Sequence, residues 1–152
     1  MKKLISHRGN LNGPNPEREN HPDYIDESLK VVPFCEVDVW RIDDKFYLSH
    51  DYPDNAPEVE REFFLMRWDQ LIIHCKNIEA LVYFRQYSEQ FHFFWHQEDD
   101  YTLTSWNWIW AYPGKTVPRV SGMKSVAVLP ERMPYDTSNF SALCTDYVSA
   151  LL

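Results

Sequence analysis

The sequence predicts an α/β fold, a reduced TIM-type (β/α)8 barrel from which several outer helices are missing, mainly in the second half. Strand-like and helix-like segments alternate over the first 96 residues, which favours a parallel sheet. About eight strand-like segments can be counted along the chain. A complete barrel needs about 250 residues, and the 152 residues present leave little room for a helix after most strands. The length alone predicts a single domain over residues 1–152.

Residues 1–96 contain segments with the apolar spacing of helices and segments with the pattern of strands. Apolar residues recur at every third or fourth position in segments 22–32 and 78–87, which predicts two amphipathic helices. Asn77 is the expected N-cap of the second helix, whose apolar positions are 78, 81, 82 and 84. Strands are predicted at 4–9, 34–40, 46–51, 71–76 and 91–96. The turn at Asp43–Lys45 should fold 46–51 back on 34–40 as a hairpin.

The second half lacks helical periodicity. Short strand-like segments there are separated by turns that contain Pro or Gly. These predicted strands are 101–104, 108–112, 125–129 and 142–148. The missing helices are therefore expected in this half of the barrel.

Composition and charge restrict the function classes. Apolar residues make up 44% and aromatic residues 16% of the chain, which is enough for a packed core and excludes intrinsic disorder. There are 15 Lys and Arg residues against 23 Asp and Glu residues, a formal net charge of −8, and no basic run. We therefore expect no binding to nucleic acid or to membranes.

No segment has the pattern of a signal peptide or a membrane span, so a cytoplasmic protein is expected. Cys35, Cys75 and Cys144 each lie in an apolar segment without a C-x-x-C pair, which predicts buried free thiols. Aromatic side chains on the helix-poor side would be covered if the chain forms a homo-oligomer, and the sequence leaves this open.

Two carboxylates, Glu36 and Asp38, alternate with apolar residues in the predicted strand 34–40. Residues two apart on a strand project from the same face, so the carboxylates lie side by side while Val37 faces the other way. Adjacent carboxylates repel each other, and a divalent cation relieves the repulsion. The pair predicts a metal site; the alternative is a strand face that is simply solvated.

Polar residues also mark the carboxyl ends of other predicted strands. His74 and Lys76 share one face of their strand, His7 and Arg8 end the first strand, and His50 ends the returning segment. Barrel enzymes carry their active sites at this end. Phosphodiester cleavage requires one imidazole to accept a proton, another to protonate the leaving oxygen, and cations to offset the phosphoryl charge. Each residue alone also has a purely structural explanation.

Aromatic residues could form a wall of the same site. His96, with Trp110 and Tyr112 from a later strand, would contact the head group of a substrate. Such a wall suits a sugar, a nucleoside or a quaternary ammonium group. The alternative is aromatic filling of a barrel that lacks helices.

The ordered set resembles a known family. His7-Arg8-Gly9, Glu36-Val37-Asp38, His50-Asp51 and the lysine that ends the next strand are similar to motifs of the glycerophosphodiester phosphodiesterase family, within the phospholipase C-like phosphodiesterase barrels. Segments 16–20 and 143–147 look like that family's Pro-Glu-Asn signal and its last strand. The resemblance is concentrated in residues 4–76.

This resemblance implies a barrel that acts as a metal-dependent phosphodiesterase on a small soluble phosphodiester. It implies that His7 and His50 are the acid/base pair and that Arg8 and Lys76 contact the phosphate. It further implies Mg²⁺ or Ca²⁺ bound by the carboxylates of Glu36 and Asp38.

His74 departs from the family pattern, because it occupies the place of a third metal carboxylate. As a metal ligand it makes the site less negative and softer, which admits Mn²⁺ or Zn²⁺ as well. Three alternatives stay open. In a phosphodiesterase, the attacking group would be water or a substrate hydroxyl, and a substrate hydroxyl would give a cyclic phosphate. The barrel could instead be a non-catalytic module that binds metal and phosphate. It could also be a metal-dependent amidase, which would tolerate Arg8→Ala.

Overall fold

Ten strands and three short helices make up the computed structural model, which describes residues 1–152. The strands are β1 (Lys3–His7), β2 (Phe34–Ile42), β3 (Lys45–Leu48), β4 (Glu58–Val59), β5 (Leu71–Cys75), β6 (His92–Trp95), β7 (Tyr101–Leu103), β8 (Trp108–Ala111), β9 (Lys124–Val128) and β10 (Ala142–Thr145). The helices are α1 (Pro22–Leu29), α2 (Arg61–Leu65) and α3 (Ile78–Arg85).

Eight of the strands surround a barrel interior. Seven are parallel, in the order β6-β5-β2-β1-β10-β9-β8. β7 is antiparallel to β8 and fills the gap to β6. At this seam the Ser105 N–H donates to the Phe93 carbonyl at 2.8 Å, and the Thr102 hydroxyl donates to the Trp95 carbonyl at 2.9 Å. The predicted reduced barrel is thereby confirmed.

All three α-helices precede β6, and α1 and α3 lie in the two segments where helices were predicted. After β6 the only helical pieces are the 3₁₀ turns Pro130–Arg132 and Val148–Ala150. Asn77 caps α3 as expected, since its side-chain oxygen accepts the Ala80 N–H at 3.2 Å. The longest helices have eight residues, and no helix is long and apolar enough to cross a lipid bilayer.

The predicted hairpin is present and returns the chain to β2. β3 pairs antiparallel with β2 through a turn at Asp43 and Asp44, both of which have positive φ, as a type I′ turn requires. Beyond β3, the Ser49 N–H donates to the Asp38 carbonyl at 3.1 Å. This bond holds the segment that follows β3 against the carboxyl half of β2.

Strand alternation divides the core into two layers. The outward-facing Cys35, Val37 and Val39 pack against the helices, in a cluster with Phe84 of α3. The inward-facing residues form a second cluster inside the barrel that includes Ile72. All three cysteines are free and buried, as predicted, and burial raises the pKa of the Cys35 thiol to about 12.

A histidine closes the end of the barrel opposite to the predicted site. His92, the first residue of β6, is buried, its ring stacks on Trp106 at 4.8 Å, and Nε2 lies 2.8 Å from the Thr104 hydroxyl. Nδ1 has no hydrogen-bond partner. Burial, with a smaller contribution from the charge of Lys124, lowers the pKa of His92 to about 3. The folded protein therefore keeps this imidazole neutral.

The neutral His92 should make folding sensitive to acid. An unfolded histidine titrates near 6.5, so between about pH 6.5 and pH 3 the unfolded chain binds a proton that the folded chain does not. We expect this group to remove about 2–3 kcal/mol of the free energy of unfolding between pH 7 and pH 4.5. Urea unfolding at both pH values should show a smaller loss for His92→Phe than for the wild type. An unchanged loss in His92→Phe, or an equal reduction in the exposed His21→Phe control, would contradict this assignment.

Candidate active site

A cavity of about 330 Å³ opens at the carboxyl ends of the parallel strands. Nine of the ten predicted site residues line it: His7, Arg8, Glu36, His50, His74, Lys76, His96, Trp110 and Tyr112. The tenth, Asp38, is fully buried directly behind them, in contact with His74 and Arg8. The barrel therefore brings the whole predicted set together; the chemical role of each residue stays a prediction.

The two carboxylates lie side by side on the inner face of β2, almost without solvent exposure. The Asp38 Oδ2 atom accepts a hydrogen bond from Asn20 Nδ2 at 3.0 Å. Glu36 Oε2 and Asp38 Oδ1, by contrast, are buried without a hydrogen-bond partner. Burial alone would raise the pKa of Asp38, but His74, Arg8 and Lys76 hold it well below its usual range. Glu36 Oε2 therefore has no donor in the protein, and the groups nearest to Asp38 Oδ1 are His74 Nδ1 at 3.2 Å and Lys76 Nζ at 3.9 Å.

His74 faces this carboxylate pair, and its hydrogen bonding determines which ring nitrogen points toward the pair. Nε2 lies 3.0 Å from the His96 carbonyl, and because a carbonyl only accepts, Nε2 carries the hydrogen. The ring stacks on Phe94 at 4.7 Å. Nδ1 is left 3.2 Å from Asp38 Oδ1 and 3.7 Å from Glu36 Oε1. Burial opposes protonation of His74, yet the two carboxylates raise its pKa to about 9.

These three residues fit a divalent cation. One ligand atom each from Glu36, Asp38 and His74 lies within 4.8 Å of the others. The partnerless carboxylate oxygens are the hard ligands that Mg²⁺ and Ca²⁺ prefer, and an imidazole nitrogen admits Mn²⁺ or Zn²⁺. The bond from His74 Nε2 to a carbonyl is the outer contact that commonly orients a histidine ligand.

His7 is held by a carboxylate that sequence patterns did not single out. Its Nδ1 donates to Asp146 Oδ1 at 2.6 Å, and its Nε2 is left on the side of Glu36, 3.9 Å from Oε2. Asp146 also accepts from Asn10 Nδ2 at 2.9 Å, and its backbone N–H donates to Glu131 at 2.8 Å. Although burial opposes ionisation, His7 and Asn10 lower the pKa of Asp146. The only sequence signal was that Asp146 lies in segment 143–147, which resembles the family's last strand.

His50, the second predicted acid/base residue, lies in the segment after β3. Its side chain is 50% exposed and its Nδ1 contacts Asp51 at 2.9 Å. Ser49 is anchored on both sides, since its carbonyl also accepts the Trp40 indole N–H at 3.0 Å. A second, more polar cavity of about 400 Å³ shares Arg8 and His50 with the first. His50 therefore lies between two solvent-accessible recesses.

The cations of the cavity differ in how firmly they are paired. Arg8 has positive φ, its Nε lies 2.8 Å from Asp38 Oδ2, and Nη1 donates to Glu19 at 3.3 Å. Burial opposes the charge of Arg8, but Asp38, Glu36 and Glu19 raise its pKa. Lys76 Nζ is 3.9 Å from Asp38 Oδ1. Glu36 is the only acidic residue that lines the cavity, so the lining favours an anion.

The predicted aromatic wall is present but unevenly exposed. Trp110 is buried to 3% exposure against Phe94, with ring centroids 4.6 Å apart. Tyr112 is 49% exposed, and its ring lies 6.0 Å from that of His96. Burial lowers the pKa of His96, although its hydrogen bond to Asp99 opposes the shift. Tyr112 and His96 are therefore the members of the wall that a ligand can reach. Seven further lining residues were not among the predicted site residues, and they include Trp95 and Arg132.

No family model and no curated protein matches this chain. Among solved structures, the chain is similar to a glycerophosphodiester phosphodiesterase from Agrobacterium tumefaciens str. C58, with 20% sequence identity and a TM-score of 0.45. The match covers 64% of this chain and 58% of that chain. A function for this chain is therefore inferred from its cavity residues.

Proposed function

We propose that this barrel is a metal-dependent phosphodiesterase that cleaves a small soluble phosphodiester, similar to a glycerophosphodiester. One observation carries the proposal: a single cavity combines four histidines, among them His7 and His50, with three cationic side chains, and a buried carboxylate pair lies at its inner wall. The cationic lining contrasts with the net charge of −8 of the whole chain. Such a contrast supports an anionic ligand at this place rather than general anion binding.

Glu36, Asp38 and His74 would hold the divalent cation. When bound, the ion would offset negative charge on the phosphoryl group and orient it. Arg8 neutralises the charge of the Asp38 carboxylate, and its guanidinium also lines the cavity. Lys76 adds a second positive charge beside the same carboxylate. These contacts support Arg8 and Lys76 as the groups that retain the phosphate.

His7 is suited to accept a proton from the attacking group. The Asp146 carboxylate orients its Nδ1–H and stabilises the imidazolium that forms, which leaves Nε2 as the basic atom. His50 is then the candidate that protonates the leaving oxygen, since its exposed ring can move and exchange protons with solvent. Whether the attacking group is water or a substrate hydroxyl, these two roles are the same.

A second candidate is a non-catalytic module that binds metal and phosphate. Two observations favour it: His74 replaces a carboxylate in the metal cluster, and the His50 side chain is half-exposed and bonded to its own neighbour, Asp51. Such a module would keep the cationic cavity and the metal site but would not transfer protons.

A substrate panel with and without chelator separates the two candidates. We expect turnover of bis(p-nitrophenyl) phosphate or of a glycerophosphodiester with Mg²⁺, Ca²⁺ or Mn²⁺, and loss of turnover with EDTA, because the ion offsets phosphoryl charge. Phosphorus NMR of the products distinguishes a monoester from a cyclic phosphate. An anilide substrate is the control for amidase activity. If the ions stabilise the protein but no phosphodiester is cleaved, the non-catalytic candidate is favoured instead.

A further inference from the structure

Arg132 is the third cation of the cavity and the one to which the proposed chemistry gives no individual role. It lines the cavity together with His7, His50 and Lys76. Arg8 and Lys76 each have a carboxylate within 4.0 Å, whereas Arg132 has none. Its guanidinium makes no ion pair within that distance, although its charge helps to lower the pKa of Asp146, and it can pair with a ligand. Guanidinium groups bind carboxylates and phosphates through two parallel hydrogen bonds, which makes them selective for planar or branched anions.

The backbone that carries Arg132 is anchored at the rim in a strained conformation. Leu129 is 4% exposed and adopts the left-handed conformation with φ 47°, which is unfavourable for a branched side chain. Its N–H donates to the Cys144 carbonyl at 2.7 Å, and its carbonyl accepts the Arg132 N–H at 3.0 Å. Glu131 accepts the Asp146 N–H at 2.8 Å. The turn is thus fixed between β9 and β10 rather than loose in solvent.

This turn approaches the cavity from the side opposite to the carboxylate pair. Two strands, β10 and β1, separate β9 from β2. Three strands, β10, β1 and β2, separate β9 from β5. The scissile phosphate would lie near the Glu36, Asp38 and Lys76 side chains of β2 and the β5 end. Arg132 lines the cavity from the β9 side, and Tyr112, from the end of the neighbouring β8, lines the same cavity. A second group on the substrate would meet Arg132 there.

We propose that Arg132 binds an anionic substituent on the substrate arm that lies against the aromatic wall. This inference rests on the proposed function and narrows its substrate class to phosphodiesters that carry a second negative group, a carboxylate or a phosphomonoester. Arg132 is then the residue that selects the substrate, while Arg8 and Lys76 retain the scissile phosphate.

Binding to a matched pair of ligands tests the proposal without requiring turnover. Glycerophosphoserine and glycerophosphoethanolamine differ by one carboxylate, and calorimetry in a His50→Ala background measures their Kd while cleavage is suppressed. Adding Arg132→Gln is expected to weaken glycerophosphoserine binding about tenfold or more, because a charge-assisted hydrogen bond is lost. Binding of glycerophosphoethanolamine should change less than about threefold. Arg119→Gln, an exposed residue outside the cavity, removes the same charge and should affect neither ligand.

Any other pattern of Kd values for the two ligands would overturn the inference. An equal loss for both ligands would place Arg132 on the scissile phosphate. An unchanged Kd for both, or no measurable binding of either ligand before the Arg132→Gln change, would make it a rim residue without a ligand role. The proposed function fails separately, when the wild type cleaves no phosphodiester in the substrate panel although these ligands bind selectively.

Discussion

Replacing His7 by alanine is expected to lower kcat for a phosphodiester by about 100-fold or more, the usual contribution of a general acid or base. The variant loses the imidazole whose Nδ1–H is held by the buried Asp146 carboxylate. The measurement is steady-state kinetics with the metal present, together with circular dichroism to show that the barrel remains folded. His50→Ala is expected to reduce kcat in the same way, through loss of the proton donor.

Asp146→Asn separates positioning from general destabilisation. The amide keeps the size of the carboxylate but no longer stabilises a protonated His7, so kcat should fall while metal-dependent stabilisation is retained. Its loss of activity should add little to that of His7→Ala in the double variant, because the two residues act as a unit. The control is His21→Ala, at an exposed histidine that does not line the cavity. Full activity of His7→Ala would refute its role as the base.

Replacing Glu36 by glutamine is expected to abolish stabilisation by divalent cations. In the wild type, an ion at 100 times its Kd adds about 2.7 kcal/mol to the free energy of unfolding. For a chain of this length, that corresponds to an increase in Tm of roughly 5–10 °C. The amide keeps the shape of the side chain but removes the charge of an oxygen that has no other partner. Thermal unfolding with chelator, Mg²⁺, Ca²⁺ and Mn²⁺ measures the effect.

Each variant serves as its own reference, because only the difference between its Tm with the ion and its Tm without the ion is used. Glu89→Gln removes one exposed negative charge far from the cavity and should keep the full shift. If Glu36→Gln shifts as much as the wild type, the ion binds elsewhere. If the wild type does not shift with any of the three ions, the carboxylate pair has no metal-binding role in the free protein.

The inner site could be predicted because it follows from local periodicity. Alternation along β2 is enough to place Glu36 and Asp38 on one face, and a parallel barrel gathers the carboxyl ends of its strands at one mouth. The hairpin that returns His50 was visible in the Asp43–Lys45 turn. These inferences need only neighbouring residues and the general geometry of the fold.

Contacts between distant segments could not be predicted in this way. His7 and Asp146 are 139 residues apart, and their bond depends on the pairing of β1 with β10. The face of α3 was also predicted incompletely. Ile78 and Val82 belong to its apolar pattern but are 57% and 45% exposed, whereas Ala80 and Phe84 are buried. Periodicity identifies a helix, but the neighbouring strands decide which side of it is covered.

The pairing of β1 with β10 has a consequence for the order in which the molecule matures. Lys3 pairs with Ala142, so the barrel is completed by a contact of very high sequence separation, and such contacts form late because a long loop must be closed first. During synthesis, β1 can pair with β10 only after residues 142–145 have emerged from the ribosome. The His7–Asp146 bond forms across this same junction. The orientation of the His7 imidazole is therefore acquired only when the two ends of the chain pair.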